Sequence, residues 1–173
     1  MNNTKTFTLT FKKMWKPIWD SRWYYFKTIL LCLLIVWVVD KEDYVFLVII
    51  NFFVGVPLIL QIILHLNYLF HDKKVQLIVD KENKEINYKN GVRELKLNFQ
   101  DIKSIIRFQG SKYSKSFETY AIPSNFYHYT MIEFVNGEVI LFSDFVCSDI
   151  GIYQPKKQSQ IRPFLNLITK NYI

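Results

Sequence analysis

Residues 75–99 read VQLIVDKENKEINYKNGVRELKLNF, and this stretch decides the fold of the second half of the chain. Apolar and polar residues alternate in three short runs, which is typical of strands that bury one face. The alternation predicts strands over Val75–Asp80, Glu85–Lys89 and Val92–Phe99. The Asn90-Gly91 dipeptide favours a tight hairpin turn, because both central residues of that turn need a positive φ. The segment therefore predicts an antiparallel meander.

The same pattern continues towards the C-terminus. Further strands are predicted over Lys103–Gln109, Tyr127–Val135 and Glu138–Phe142, the last two joined by Asn136-Gly137. Residues 143–157 are predicted as a loop, and Ser159–Tyr172 as a terminal helix, since its apolar residues recur at helical spacing. Six or seven short strands must curl or be covered to protect their edges. The expectation is a small β-barrel or split sandwich closed by the C-terminal helix.

Two apolar runs precede the meander, at residues 23–39 and 44–70. Crossing a bilayer takes roughly 20 apolar helical residues, and both runs are apolar all round rather than on one face. They predict two transmembrane helices joined by the polar turn at residues 40–43. The alternative is a buried helical hairpin of a soluble protein.

Of the 173 residues, 22 are Lys or Arg and 15 are Asp or Glu, giving a net charge of +7. Basic residues flank both apolar runs, while the turn between the runs is acidic. Basic flanks stay on the cytoplasmic side of a membrane, so both termini are predicted to be cytoplasmic. The chain divides into a basic-aromatic arm (residues 1–22), a helical hairpin (23–70) and a β domain (71–173).

The arm interleaves basic and aromatic side chains. Those predicted to contact a membrane surface, together with Lys27 just beyond the arm, are Lys5, Lys12, Lys13, Lys16, Arg22, Lys27, Trp15, Trp19 and Trp23. Each basic residue near an anionic surface contributes about 1 kcal/mol. The simpler alternative is a topology signal with interfacial anchors. Residues 6–11 also alternate, so this part could instead pair as a strand with the sheet.

Three polar residues, Asn51, Gln61 and Asn67, interrupt the second apolar run. Such groups usually join helices to one another, and helix–helix contacts are therefore predicted for them.

No chemical motif accompanies this architecture. His65, His71 and His128 have no metal-ligand spacing with each other or with Cys32 and Cys147. The sequence contains neither a Gly-x-Ser-x-Gly elbow nor a phosphate loop. We predict no catalytic, metal-binding or cofactor-binding residue, no cofactor and no enzymatic activity.

Several short motifs carry a resemblance. They are Leu66-Asn67-Tyr68, the corner at Phe99–Ile105, the late hairpin at Ile132–Gly137 and the expected closing helix. With the two apolar runs, they resemble bacterial membrane-anchored pleckstrin-homology-like (PH-like) proteins. The resemblance implies two nearly orthogonal sheets with a helix plugging one end, and it brings no catalytic residues. Eukaryotic phosphoinositide binders of this fold use a basic pocket in the first hairpin loop. Here that loop, Lys81–Lys84, has mixed charge.

The expectation is therefore an α+β protein of the bacterial inner membrane, with a transmembrane helical hairpin followed by a PH-like β-barrel or split sandwich. Its predicted function is non-enzymatic binding of lipid headgroups or a protein partner at the cytoplasmic surface. Membrane lipids, a protein partner or further copies of the chain are the expected partners, and nucleic acid is not. The alternatives are a structural subunit of a larger membrane complex and a small oligomeric transporter or channel.

Overall fold

The computed structural model describes residues 4–38, 44–109, 126–151, 157–161 and 167–168. Two long helices, α1 (Phe11–Val38) and α2 (Tyr44–Asp72), follow the first strand, β1 (Thr4–Thr8). The other strands are β2 (Val75–Asp80), β3 (Glu85–Asn90), β4 (Arg93–Asn98), β5 (Ile102–Gln109), β6 (Tyr129–Phe134), β7 (Val139–Ser143) and β8 (Lys157–Ile161). A short 3-10 helix, Phe99–Asp101, turns the corner between β4 and β5.

The first sheet has the order β1-β2-β3-β4 and is antiparallel throughout. Its three later strands lie where the alternation predicts them. Gly91 has a φ of +62° at the Asn90-Gly91 turn, as the hairpin requires. Every second side chain of β2 is buried, which is the physical origin of the pattern in the sequence.

Strand β1 pairs with β2, with Thr4 opposite Asp80 and Thr8 opposite Gln76. The alternation at residues 6–11 allowed a strand that pairs with the sheet, and residues 4–8 do form such a strand. Helix α1 begins three residues after it, at Phe11. Both helices are inserted between two neighbouring strands of one sheet. The division of the chain after residues 22 and 70 stays a prediction.

The second sheet has the order β7-β6-β5-β8, and β8 runs parallel to β5. The predicted C-terminal helix is wrong for residues 159–161, which belong to β8. Leu167 and Ile168 have no regular structure, and the rest of the predicted helix lies outside the described residues. The backbone of β8 pairs with β5, and this pairing needs no apolar alternation in β8 itself.

The second sheet (β7-β6-β5-β8), called sheet 2 from here on, is covered on both faces. Val79, Ile86 and Phe134 belong to the core between the two sheets. Leu64 and Tyr68 of α2 belong to a second core with Phe108 and Tyr129 on the opposite face of sheet 2. The molecule thus has three layers, and this explains why nearly all of β6 is buried.

The predicted closed β-barrel is wrong. Within the described residues the strands form two separate four-stranded sheets, whose hydrogen bonding ends at β1 and β4 and at β7 and β8. Within the same residues no helix closes the sheets, and Leu64 and Tyr68 near the end of α2 pack instead on the outer face of sheet 2.

The predicted transmembrane hairpin is also wrong, and with it the inner-membrane location with two cytoplasmic termini. Among the residues that the structure describes, neither helix has the length and apolar character needed to cross a bilayer. The first apolar run is only the later part of α1, which carries several charged side chains before it. Towards the end of the second run, Leu64 and Tyr68 are fully buried against sheet 2, whereas Ile62, Ile63 and Phe70 are exposed.

Candidate functional site

Basic and aromatic side chains form a continuous stripe along the solvent face of α1. The residues recur at spacings of three and four, so they share one helix face. We call this the α1 stripe; its members are Lys12, Trp15, Lys16, Trp19, Arg22, Trp23, Phe26 and Lys27. All are exposed, and Trp19 and Trp23 keep 66% and 59% of their surface. The sequence predicted these residues except Phe26; the helix brings them together.

Arg22 holds the centre of the stripe in place. Its guanidinium lies 4.3 Å from the ring centroid of Trp19 and 5.7 Å from that of Trp23. It also donates a hydrogen bond of 2.6 Å to the carbonyl oxygen of Trp19. Such cation–π stacking contributes roughly 0.5–1 kcal/mol at exposed sites. The cation and two indoles therefore form a pre-arranged group facing solvent.

Two of the predicted basic residues lie elsewhere. Lys13 points inwards, donates a 2.5 Å hydrogen bond to the carbonyl oxygen of Val146, and lies 5.9 Å from the ring centroid of Phe7. Lys5 is exposed on β1, opposite Val79 in the register. Position 13 is about 100° around the helix from position 12, which explains its separate orientation.

A cleft of about 840 Å³ lies between α1 and sheet 2. Lys13, Lys16 and Asp20 line it from the helix, and Arg107 and Asp144 from the sheet. Arg107 donates to Asp144 Oδ2 at 2.8 Å and to the carbonyl oxygen of Ser148 at 2.9 Å. Arg107 Nε and Asp144 Oδ1 are buried and have no hydrogen-bond partner among the described residues. The floor of the cleft therefore contains one donor and one acceptor that are buried and unsatisfied among the described residues.

Burial shifts the ionisation of two groups in this cleft. Desolvation raises the pKa of Asp144 to about 7, although the neighbouring guanidinium of Arg107 opposes the rise. Burial also raises the pKa of the Cys147 thiol to about 11. A thiol with so high a pKa stays protonated at neutral pH and is a poor nucleophile.

The polar residues of α2 have different environments. Gln61 Nε2 donates to Ser21 Oγ at 2.7 Å, and Gln61 Oε1 accepts from the hydroxyl of Tyr25, both on α1. Asn67 instead binds the C-terminal segment: its Oδ1 accepts from the amide of Ile168 at 2.9 Å, and its Nδ2 donates to the carbonyl of Ile168 at 3.2 Å. The side chain of Asn51 lies outside the described part of the structure.

The first hairpin loop is closed on itself. Asp80 Oδ1 accepts from the amides of Glu82 and Asn83 at 3.0 and 3.1 Å. These bonds lower the pKa of Asp80, with the backbone amide of Asn83 contributing most. The Asp80 and Glu82 carboxylates offset Lys81 and Lys84, so the mixed charge is built into the loop.

A buried polar cluster that sequence reasoning missed joins α2 to β7. The hydroxyl of Ser143 donates to Asp72, and His71 Nδ1 lies 2.8 Å from Asp72 Oδ1. All three side chains are buried. Ser143 faces the aspartate rather than the histidine, so the cluster lacks the order of a catalytic triad. No group of side chains suited to a metal ion occurs among the described residues.

A family model for the PH domain matches residues 6–154, which is most of the chain. The chain therefore belongs to the PH domain family, as the two sheets and the meander indicate. The match begins within β1, so the helical insertion lies inside the matched range. Comparisons with curated proteins and with solved structures gave no match. PH domains are generally non-catalytic modules that bind lipids or proteins.

Proposed function

We propose that this PH domain is a non-enzymatic binding module that holds anionic lipid headgroups against the α1 stripe. The stripe carries the proposal, because it combines exposed cations with exposed indole rings on one helix face. Indoles favour the headgroup region, where one end of the ring is wet and the other apolar. The basic side chains supply the attraction to negative charge.

The first hairpin loop is the weaker candidate for the same role. Its basic residues are balanced by acidic neighbours, and Asp80 already accepts its backbone amides. In the stripe, Asp20 pairs with Lys16 at 2.5 Å, while Lys12, Arg22 and Lys27 make no ion pair among the described residues. The stripe therefore presents the larger uncompensated positive charge.

Vesicle sedimentation of the full chain tests the proposal. We expect binding to phosphatidylglycerol vesicles, little binding to phosphatidylcholine vesicles, and a steep loss of binding with salt. The screening length falls from about 10 Å at 0.1 M salt to about 3 Å at 1 M. Salt-independent binding, or equal binding to both vesicles, would contradict the proposal.

A pair of matched variants locates the site. The triple variant Lys12→Gln, Lys16→Gln, Arg22→Gln should weaken binding about a hundredfold, at about 1 kcal/mol for each basic residue. The control Lys89→Gln, Lys96→Gln, Lys103→Gln removes the same charge from exposed lysines of the sheets. We expect at most a threefold loss for the control, from the change in overall charge. Equal losses would place the site elsewhere.

A protein partner is the second candidate, and exposed apolar side chains on α1 and α2 favour it. Trp37, Val45 and Phe52 are all largely exposed. Large exposed apolar side chains of this kind are typical of interaction sites when they form a patch. Sedimentation equilibrium of the purified chain tests the simplest form, a complex of identical copies. A monomer at every concentration would contradict that form.

A further inference from the structure

An apolar groove of about 280 Å³ runs between α1 and α2. Four aliphatic residues line it: Ile18, Leu58, Ile62 and Leu66. The polar side chains at its wall are engaged with protein partners, since Gln61 bonds to both Tyr25 and Ser21. The groove therefore presents apolar surface to an occupant, and its glutamine needs no hydrogen bond from that occupant.

His65, the remaining polar residue of the wall, does not make the groove charged at neutral pH. Its Nδ1 lies 3.3 Å from the hydroxyl of Tyr127, and its ring packs against Phe145 and Trp15, with centroids 5.6 and 6.1 Å away. Burial lowers the pKa of His65 below its usual 6.5. A neutral imidazole among aromatic rings is compatible with an apolar occupant.

The groove adjoins the α1 stripe. Ile18 comes three residues after Trp15 and four before Arg22, so the three side chains are neighbours on the helix surface. Trp15 also touches His65 on the groove wall. An amphiphile with its anionic group at Arg22 would therefore have its tail at the mouth of the groove.

We propose that the groove holds one acyl chain of the anionic lipid whose headgroup lies on the α1 stripe. This inference rests on the proposed function and extends it from the headgroup to the lipid tail. Small-molecule pockets have volumes of about 300–1,000 Å³, so a groove at the lower limit suits one alkyl chain rather than a whole lipid. The adjacent cations select a negatively charged amphiphile over a neutral one.

Alkyl phosphates of increasing chain length, used below their micelle-forming concentrations, are the probes. Isothermal titration of the full chain should give affinities that rise from hexyl to dodecyl phosphate. The rise should reach at most about fourfold per methylene, which corresponds to about 0.8 kcal/mol for a fully buried methylene. Affinity that is independent of chain length would overturn the inference.

Two neighbouring residues provide a matched pair of variants. Ile62 lines the groove and is 51% exposed, whereas Ile63 does not line it and is 44% exposed. Ile62→Trp should fill the groove and abolish the dependence on chain length. Ile63→Trp adds the same indole beside the groove and should leave the dependence intact. Equal effects of the two variants would show that the tails bind to apolar surface in general.

The stripe variants separate this inference from the proposed function. The Lys12→Gln, Lys16→Gln, Arg22→Gln variant should lower the affinity for alkyl phosphates of every chain length by one common factor. The affinity should still rise with chain length. A flat dependence on length, with phosphate binding still dependent on the stripe, would overturn the groove but leave the proposed function standing. If the wild-type chain failed to bind vesicles but its affinity for alkyl phosphates still rose with chain length, the proposed function would be overturned and the groove would remain a site for an alkyl chain. Dissociation of a dimer by Ile62→Trp alone would make the groove a contact between copies and overturn the inference.

Discussion

Two aspartates lie where the helices meet sheet 2, and their surroundings are opposite. Asp72, the last residue of α2, is fully buried and bonded to Ser143 and His71. Asp144, immediately after β7, lies in the cleft, with one oxygen bonded to Arg107 and the other without a hydrogen-bond partner among the described residues. The Asp72 carboxylate is closed, in the sense that both of its oxygens are bonded within the protein, although His71 Nε2 beside it has no hydrogen-bond partner among the described residues. The Asp144 carboxylate has one oxygen without a hydrogen bond.

The difference separates a carboxylate whose hydrogen bonds are complete from one whose hydrogen bonds are incomplete. A buried carboxylate is tolerated only when its hydrogen bonds are made within the protein, and those of Asp72 fix the end of α2 to β7. Asp144 lines the cleft of about 840 Å³, but its unbonded Oδ1 is buried and its hydrogen bonding is incomplete. Ser143 and Asp144 are adjacent in sequence, so neighbouring residues at the end of β7 contribute to the two clusters.

The largest effect is expected for Asp72→Ala. The hydroxyl of Ser143 and the ring of His71 would lose their acceptor in the interior, and each buried polar group left unpaired costs about 1–3 kcal/mol. We expect the free energy of unfolding in urea to fall by about 3 kcal/mol. Asp101→Ala, which removes an exposed carboxylate, should change it by less than about 0.5 kcal/mol. Equal losses would mean that the cluster around Asp72 does not anchor α2.

The next largest effect is expected for Ser143→Ala. The variant removes the hydrogen bond to Asp72 and the acceptor for the amide of Phe145, which lies 3.0 Å from Ser143 Oγ. The free energy of unfolding should fall by about 2 kcal/mol. Ser104→Ala is the matched control, because the hydroxyl of Ser104 is only partly buried beside Glu133. A smaller loss for Ser143→Ala than for the control would break the comparison.

Most strands could be predicted because each carries its own pattern. The alternation in Val75–Asp80 and the Asn-Gly turns at residues 90 and 136 report local geometry. Most residues of the α1 stripe were predicted from the interleaving of basic and aromatic residues, but their arrangement on one helix face was not, because the sequence left open whether this part is helix or strand. Local periodicity therefore identified the strands, and composition identified most of the proposed lipid-contacting residues.

Contacts between distant elements could not be predicted in this way. Asp72 and Ser143 are 71 positions apart, and neither has a motif around it. Strand β8 carries no apolar alternation, so nothing local in its sequence indicated that it pairs with β5. One face of the end of α2, with Leu64 and Tyr68, is buried against sheet 2, and composition alone does not distinguish lipid from protein surroundings for these residues.

Asn67 is a second closed group, and its loss should have an intermediate effect. Its amide makes two hydrogen bonds to the backbone of Ile168, which is itself buried. Asn67→Ala should lower the free energy of unfolding by about 1 kcal/mol and increase cleavage of the C-terminal segment by carboxypeptidase. Asn67→Asp keeps the hydrogen-bond acceptor but not the donor. Its free energy of unfolding should lie between those of Asn67→Ala and the wild type. Unchanged cleavage in Asn67→Ala would show that Asn67 does not hold the segment.

The smallest effect at neutral pH, below about 1 kcal/mol, is expected for Asp144→Asn, which keeps an oxygen for Arg107. Its effect should appear in the pH dependence of unfolding. Burial raises the pKa of Asp144 from 3.8 to about 7, so the native state binds a proton that the unfolded state releases. The stability from this protonated carboxyl is fully present below about pH 4 and is lost as the pH rises through about 7. Asp144→Asn should remove that slope.

Asp80→Asn is the control of opposite sign. The pKa of Asp80 is lowered, chiefly by the amide of Asn83, so its contribution is present above about pH 4 and is lost as the pH falls through the lowered value. The two variants should therefore differ from the wild type in separate pH ranges. If Asp144→Asn left the slope between pH 4 and 7 unchanged, burial would not hold a proton on Asp144 in that range, and the contrast drawn for its incompletely bonded carboxyl would fail.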